Sequence, residues 1–289
     1  MPEGPEIRRA ADRLSRALAG RRALAVRFAA DAFPHLRRYQ RVLDGATITA
    51  VVARSKAMLT HFANGWTIYS HNQLYGEWAL HRGAPPPTHL QERLVIRTAS
   101  RSAVLYSASA IEVLRTDAVA RHPYIARLGV ELLDPAVGLE AVRAQIGAPR
   151  FARRRLDALL LDQGFLAGIG NYLRSDILFA AGLHPQARPA DLSDAQRLAL
   201  ARAALRLTRQ SYRTGGVTND PAVARRLKAA GWDFARYRHR VFERAGAPCH
   251  VCGTPIRRLD SGGRGLFLCE RCQPPAPSGV RPPRRGVRK

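Results

Sequence analysis

Gly164-Phe165-Leu166-Ala167-Gly168-Ile169-Gly170-Asn171 decides how the second half of this chain folds. Upstream of it, 153–163 reads as a helix with Leu156, Leu159 and Leu160 facing inward. Downstream, 172–181 reads as a second helix closed by Gly182. Glycines between two helices permit positive φ and let the backbone approach another surface closely. Successive exposed N–H groups in such a turn also make an anion cradle suited to phosphate. A hairpin built for packing alone rarely needs Gly-x-Gly-Asn in addition to Gly164. A further amphipathic helix is expected over 193–212. Residues 213–235, with Gly215-Gly216 and Asn219-Asp220-Pro221, read as a long, mobile loop.

Toward the C-terminus, Cys249-x2-Cys252-x16-Cys269-x2-Cys272 forms two CxxC knuckles at zinc-ribbon spacing. Four thiolates close a tetrahedral Zn²⁺ shell and leave no position open for water, so the metal is expected to be structural and His250 a bystander. All four cysteines belong to this cluster, which points to a reducing compartment and away from disulfides. Arg264 lies on Gly262-Gly263-Arg264-Gly265, the expected turn of a β-hairpin, where a guanidinium can grip phosphate. The 17 residues after Cys272 hold five prolines and five basic residues and are expected to be disordered.

Toward the N-terminus, 21–115 reads as short strands at 47–53, 58–62, 66–70, 77–80, 93–98, 103–107 and 111–114, a pattern that suggests a β-sandwich. Lys56 is the only lysine before Lys228 in a chain that otherwise chooses arginine. Only lysine offers a compact ammonium whose pKa shifts easily, so this site calls for one. His71-Asn72-Gln73-Leu74-Tyr75-Gly76 follows as a turn that exposes an aliphatic and an aromatic side chain, a candidate wedge for a base stack. Residues 115–135, punctuated by Pro123, Gly129 and Pro135, read as a linker. These elements read as an α+β fold, an N-terminal β-sandwich with an N-terminal helix and then a helical half that ends in a β-hairpin zinc finger. Its expected divisions are 1–118, a linker at 119–135, 136–240, a finger at 241–273 and a tail at 274–289.

The chain opens Met1-Pro2-Glu3-Gly4-Pro5-Glu6, and removal of the initiator methionine would expose the secondary amine of Pro2. An α-amino group titrates near about 8 and is partly neutral, hence nucleophilic, at physiological pH. Added to a sugar C1′, a secondary amine yields a cationic iminium, an electron sink. Glu3 stands beside it as an acid or base. Pro5 suits a first helical turn, Ile7, Ala10, Ala11, Leu14, Ala17 and Leu18 mark one apolar face, and Gly20 closes the helix.

Composition narrows the class. The 289 residues carry 47 Lys and Arg against 22 Asp and Glu, a net charge of +25. Genomic drift toward arginine explains Arg over Lys but not the scarcity of acids, so a polyanion, nucleic acid first, is the expected partner. No apolar run approaches the roughly 18 residues of a membrane span, and no signal peptide precedes the first helix, so a cytoplasmic protein is expected.

Taken in order, PEGPEIRRAAD, the Lys56 stretch, YSHNQLYG, LLLDQGFLAGIGNYLRSDIL and the four-cysteine finger resemble the formamidopyrimidine-DNA glycosylase/endonuclease VIII family over nearly the whole chain to Cys272. That resemblance implies a β-sandwich followed by a helix–two-turns–helix domain that ends in the zinc finger, in a monomeric, nucleoid-associated enzyme of base excision repair, with duplex DNA held between the two domains and one structural zinc on Cys249, Cys252, Cys269 and Cys272. It implies Pro2 as the Schiff-base nucleophile, Glu3 as the acid for base loss and ring opening, Lys56 for proton transfer in β-elimination and Arg264 for δ-elimination. Gln73, Arg127 and Asn171 match the family's DNA-binding positions, and Gln73-Leu74-Tyr75 its void-filling triad. The expected substrates are oxidised pyrimidines and abasic sites. Oxidised purines are the alternative, since 213–235 lies where purine-specific relatives carry a lesion-capping loop, and a non-catalytic damage binder is the competing class.

Overall fold

The computed structural model describes residues 2–275. The first helix, α1 (Gly4–Leu18), starts at a reciprocal cap. The Glu3 amide donates to Glu6 Oε2 at 3.0 Å, and Pro5 occupies the first turn. Its Ile7, Ala11, Leu14 and Leu18 are buried, and the three large side chains each contribute about 1.5–3 kcal/mol of apolar burial.

That face packs on two four-stranded antiparallel sheets. The strands are β1 (Ala25–Phe28), β2 (Ile48–Arg54), β3 (Ala57–Phe62), β4 (Trp66–His71), β5 (Glu77–Arg82), β6 (Glu92–Arg97), β7 (Arg101–Tyr106) and β8 (Ala110–Arg115). One sheet runs β1-β6-β7-β5 and the other β2-β3-β4-β8, with a shared core that includes Ile48, Met58, Ile68, Trp78, Leu94 and Leu105. All seven strands expected from the sequence are present within two residues of their predicted ends. The eighth, β1, is only four residues long, too short to show a period, and a short helix α2 (Gln40–Leu43) follows it.

Residues 119–135 carry their own elements, α3 (Pro123–Ala126) and β9 (Val130–Glu131). The second of these pairs in parallel with β10 (Leu166–Ala167), inside the glycine stretch. The helical half then comprises α4 (Leu139–Gly147), α5 (Leu156–Leu159), α6 (Asn171–Ala180) and α7 (Asp194–Thr214), around a core of Leu156, Leu160, Phe165, Leu173, Ile177 and Leu200. The helix expected over 153–163 is a single turn. The amides of Leu156 and Asp157 donate to Ala187 O and Pro185 O, and after Leu160 the chain folds into turns around Asp162.

Residues 213–235, expected to be a mobile loop, instead carry two helices. Gly215 ends α7 in the left-handed region at φ 73°. The chain then forms α8 (Pro221–Ala229), with Ala224 and Leu227 buried, and α9 (Phe234–Tyr237). Asp220 accepts from the amides of Ala222 and Val223, so Asn219-Asp220-Pro221 is a helix cap followed by proline at the first helical position. The ends of the segment are tied together: Thr218 and Asn219 N–H both donate to Arg238 O, at 2.8 and 3.0 Å. Finally β11 (Arg257–Asp260) and β12 (Gly265–Leu268) form the finger hairpin, which packs on α6. Of the basic tail, residues 276–289 lie outside the described residues. The α+β class and its order, sandwich first and finger last, are as expected.

Candidate active site and nucleic-acid interface

The glycine stretch and the N-terminus meet. Gly4 N–H donates to Gly168 O at 2.9 Å, and a side chain on Gly170 would run into the Glu3 carboxylate. Glu3 is fully enclosed. Its Oε2 accepts from the amides of Gly170 (2.7 Å) and Leu173 (3.3 Å), and its Oε1 from that of Tyr172 (2.8 Å). The amides expected to cradle a phosphate are therefore largely used on this carboxylate, and residues 165–170 are buried. An α6 N-terminus capped by a residue from α1's own start locks the two halves together.

Burial pushes the Glu3 carboxyl up to about 7, with Glu6 adding to the rise, while Lys56 and the amides of Tyr172 and Gly170 oppose it. Lys56 is held below the usual ammonium range, first by burial and also by Arg264, against the pull of Glu3 and Glu6. These mutual effects bring Glu3, Lys56 and Arg264 into one electrostatic unit, although they come from α1, the β2–β3 turn and the finger.

The turn that carries Lys56 is held from the other half. Ser55, at φ 57°, donates its N–H to Glu131 Oε2 (2.9 Å) and its Oγ to Gln163 Oε1 (2.9 Å), and Arg54 pairs with Glu131 at 2.7 Å. Tyr124 Oη accepts from Lys56 N–H at 3.3 Å. Arg264 sits exposed at the finger tip. Asn171 Nδ2 donates to Gly265 O at 2.9 Å, next to it, and the buried Arg174 donates to Asn171 Oδ1 at 2.5 Å. Asn171 thus binds the finger turn in this structure.

Gln73 takes φ 51°, donates its N–H to His71 Nδ1 (3.1 Å) and accepts from Ser109 Oγ (2.5 Å). Burial, reinforced by Lys56, lowers His71 to about 4, so its ring is a neutral acceptor. Beyond Gln73, Leu74 is 54% and Tyr75 79% exposed. Pro2, Leu74 and Tyr75 line one cleft of about 370 Å³. Gln73 and the exposed Arg127 line a neighbouring groove of about 430 Å³ with Tyr69, His71, His122 and Tyr124, and Arg127 lies 5.6 Å over the Tyr124 ring.

The sequence reading missed Glu6, whose Oε1 accepts from Tyr172 Oη at 3.0 Å, and Ser211, 2.8 Å from the same hydroxyl. Glu3-x-x-Glu6 ahead of an apolar run was a usable capping signal. It also missed Asp176. That carboxylate is buried, which alone would raise it, but His239, Thr218 and the Val241 amide bring it down to about 2. Asp176 fastens 239–242, the approach to the finger, onto α6.

The four cysteine sulfurs lie within 4.8 Å of one another, with Sγ separations of 4.0 Å (Cys249–Cys272), 3.4 Å (Cys252–Cys269) and 3.6 Å (Cys252–Cys272). A tetrahedral Zn²⁺ with bonds of about 2.3 Å separates its sulfurs by about 3.8 Å, so the residues fit one structural zinc. Among the described residues no helix is long and apolar enough to cross a membrane.

Comparison with known proteins agrees with this layout. Residues 1–108 match the formamidopyrimidine-DNA glycosylase N-terminal domain, 128–221 its H2TH domain, and 246–275 a zinc finger found in FPG and IleRS. The chain belongs to the formamidopyrimidine-DNA glycosylase/endonuclease 8 family and is a DNA glycosylase and abasic-site lyase. Within the family it is 44% identical to Endonuclease 8 of Klebsiella pneumoniae subsp. pneumoniae and 44% identical to that of Shigella sonnei, in each case over 94% of this chain and 100% of the relative. The fold is also that of Lactococcus lactis Fpg in complex with DNA containing N7-benzyl-Fapy-dG (TM-score 0.78, 20% identity, 94% of this chain and 100% of that one). A complex of the same protein with abasic-site DNA gives a TM-score of 0.77 at 19% identity, over 94% and 99% of the two chains.

Proposed function

We propose that this enzyme excises oxidised pyrimidines from duplex DNA and cuts the strand at the abasic site by β,δ-elimination. The observation that carries the reading is Glu3, a carboxyl next in the chain to the Pro2 nitrogen, enclosed and raised to about 7. At neutral pH such a group both gives and takes protons.

In this reading the Pro2 nitrogen attacks C1′ of an extruded nucleotide. The N–C1′ bond forms and the C1′–base bond breaks, its electron pair leaving with the base, while the proton lost by the amine returns to Glu3. Glu3 supplies protons to the departing base and then to O4′, as the C1′–O4′ bond opens to an iminium. Lys56 carries the proton removed from C2′, and electrons flow into the iminium as the C3′–O bond breaks. A second elimination removes the C4′ proton and breaks the C5′–O bond, whose electron pair leaves with the phosphate gripped by Arg264. Gln73, Leu74 and Tyr75 fill the space the nucleotide vacates, and Arg127 and Asn171 hold the DNA. The +25 charge supports salt-dependent engagement of duplex DNA; in this reading the enzyme acts as a monomer, in the cytoplasm close to the nucleoid.

Pyrimidine choice rests on the wedge: Leu74 and Tyr75 fill space by apolar contact and stacking, whereas a reader of the orphaned base needs charged or bidentate donors. One observation favours purines instead. The segment that carries α8 and α9 abuts the site, since Gly216 lies against Glu6 and Arg238, and Arg238 sits 5.6 Å over Tyr172. Single-turnover excision on matched duplexes decides: thymine glycol and dihydrouracil should leave faster than 8-oxoguanine, and faster loss of 8-oxoguanine would overturn the pyrimidine reading.

A further inference from the structure

We infer that Ser109 is a positioning residue for the wedge: from the turn that leads into β8 it holds Gln73 in place, and so keeps Leu74 and Tyr75 projecting while a nucleotide is extruded. The inference rests on the proposed wedge role of Gln73-Leu74-Tyr75 and adds a residue outside that triad.

The wedge leaves the sandwich where two strands part. β4 and β8 pair antiparallel, and their ladder runs from Trp66↔Arg115 to His71↔Ala110. Beyond that last pair, β4 continues into the wedge turn and β8 is entered through Ser109. A side-chain bond joins the two chains where the ladder ends: Ser109 Oγ donates to Gln73 Oε1 at 2.5 Å, across 36 positions of sequence.

Gln73 needs that support. Its φ of 51° lies in the left-handed region, which residues with a Cβ rarely adopt. Such a conformation persists where surrounding contacts over-determine it. Two contacts do so here. The Gln73 N–H donates to His71 Nδ1 at 3.1 Å and fixes the backbone, while Ser109 fixes the side chain. The turn that carries Ser109 is itself anchored: Ser107 N–H donates to Gln91 O at 2.8 Å, and Ala108 is buried.

The far end of the wedge is closed separately. Asn72 Nδ2 donates to Gly76 O at 2.9 Å and Gly76 N–H to Asn72 O at 2.8 Å, and a Cβ on Gly76 would lie 2.5 Å from Asn72 O. Leu74 and Tyr75 thus project into solvent from a turn clamped at its base. Of these contacts only the one from Ser109 comes from outside 71–76, so it sets the wedge against the sheet. A wedge held before DNA arrives loses less freedom on insertion, and its apolar side chains then keep the gap from closing.

The test is single-turnover excision of dihydrouracil from two duplexes, one with adenine opposite the lesion and one with a tetrahydrofuran spacer there. With the spacer no partner base competes to re-pair the lesion, so that rate reports the chemistry. Ser109→Ala should lower the adenine-to-spacer rate ratio about fivefold, the effect of about one neutral hydrogen bond. Ser109→Thr, which keeps the hydroxyl, should restore the ratio. In a Gln73→Ala background Ser109→Ala should change the ratio no further, because Ser109 acts through that side chain. An unchanged ratio in Ser109→Ala, equal losses in the alanine and threonine variants, or a further loss in the Gln73→Ala background would each overturn the inference. If wild-type protein cleaves an abasic duplex but leaves dihydrouracil, the pyrimidine reading fails; the same comparison is then made with 8-oxoguanine opposite cytosine, since the wedge acts on the gap and not on the lesion. Failure to cleave the abasic duplex would overturn the proposed function and this inference with it.

Discussion

Replacing Glu3 by glutamine separates its two roles, structural and chemical. Oε1 accepts from Tyr172 N–H and Oε2 from the amides of Gly170 and Leu173, whereas a glutamine has only one oxygen. One face must then turn NH2 toward a buried donor, a loss of about 1–3 kcal/mol. Against this stands the cost of ionising Glu3 in the native protein, where its pKa rises from 4.5 to about 7. A carboxyl raised on folding stabilises the native state in its protonated form. That contribution is complete below pH 4.5 and is lost as pH climbs through about 7, a span of about 3 kcal/mol. Wild-type stability should therefore decline over that window, and Glu3→Gln should remove this part of the decline. Catalytically, loss of the acid should slow excision of thymine glycol by about 10²–10⁴-fold. It should also abolish the alkaline limb above about pH 7, where wild-type excision falls as Glu3 deprotonates. The assay is single-turnover excision from pH 5.5 to 9, with thermal melts across the same buffers. A variant that keeps the alkaline limb, or loses less than tenfold in rate, refutes the assignment of Glu3 as the acid.

Three other outcomes follow from the same geometry. Lys56→Arg should slow strand cleavage at abasic sites by about 10²-fold, because a guanidinium does not exchange protons near neutrality and fits poorly in a buried turn; full cleavage by folded variant would refute it. Metal analysis should find about one zinc per chain, lost in Cys252→Ser together with DNA binding, and zinc-free protein cutting at the full rate would contradict the structural role. If some six phosphates are neutralised, log affinity should fall against log salt with a slope of about −5, and deleting residues 274–289 should make that slope shallower; an unchanged slope would mean the tail takes no part.

Short alternating strands and the two CxxC knuckles were legible because their signals are local: period, spacing and donor chemistry. The glycine stretch was legible as a place of close approach but not as to what approaches it. Sequence suggested phosphate, whereas the Gly170, Tyr172 and Leu173 amides bind Glu3, more than 160 positions away, and no local pattern encodes that pairing. The 213–235 segment shows a different limit. Asn219-Asp220-Pro221 signals a turn and a helix start equally well, and burial of Ala224 and Leu227 decides between them. Lys56 stood out by its rarity, but Glu131, Gln163 and Tyr124, which hold its turn, carried no signal. They matter through tertiary contact alone.

The central claim is a covalent bond from Pro2, and borohydride reduction measures it directly. Protein with its N-terminal proline confirmed by mass, mixed with abasic-site duplex and sodium borohydride, should give a stable protein–DNA adduct whose cross-linked peptide begins at Pro2. An N-terminal extension that blocks the amine should abolish the adduct while leaving binding largely intact. Folded, correctly processed protein that binds the duplex yet gives no adduct, or an adduct that maps to Lys56, would contradict the account.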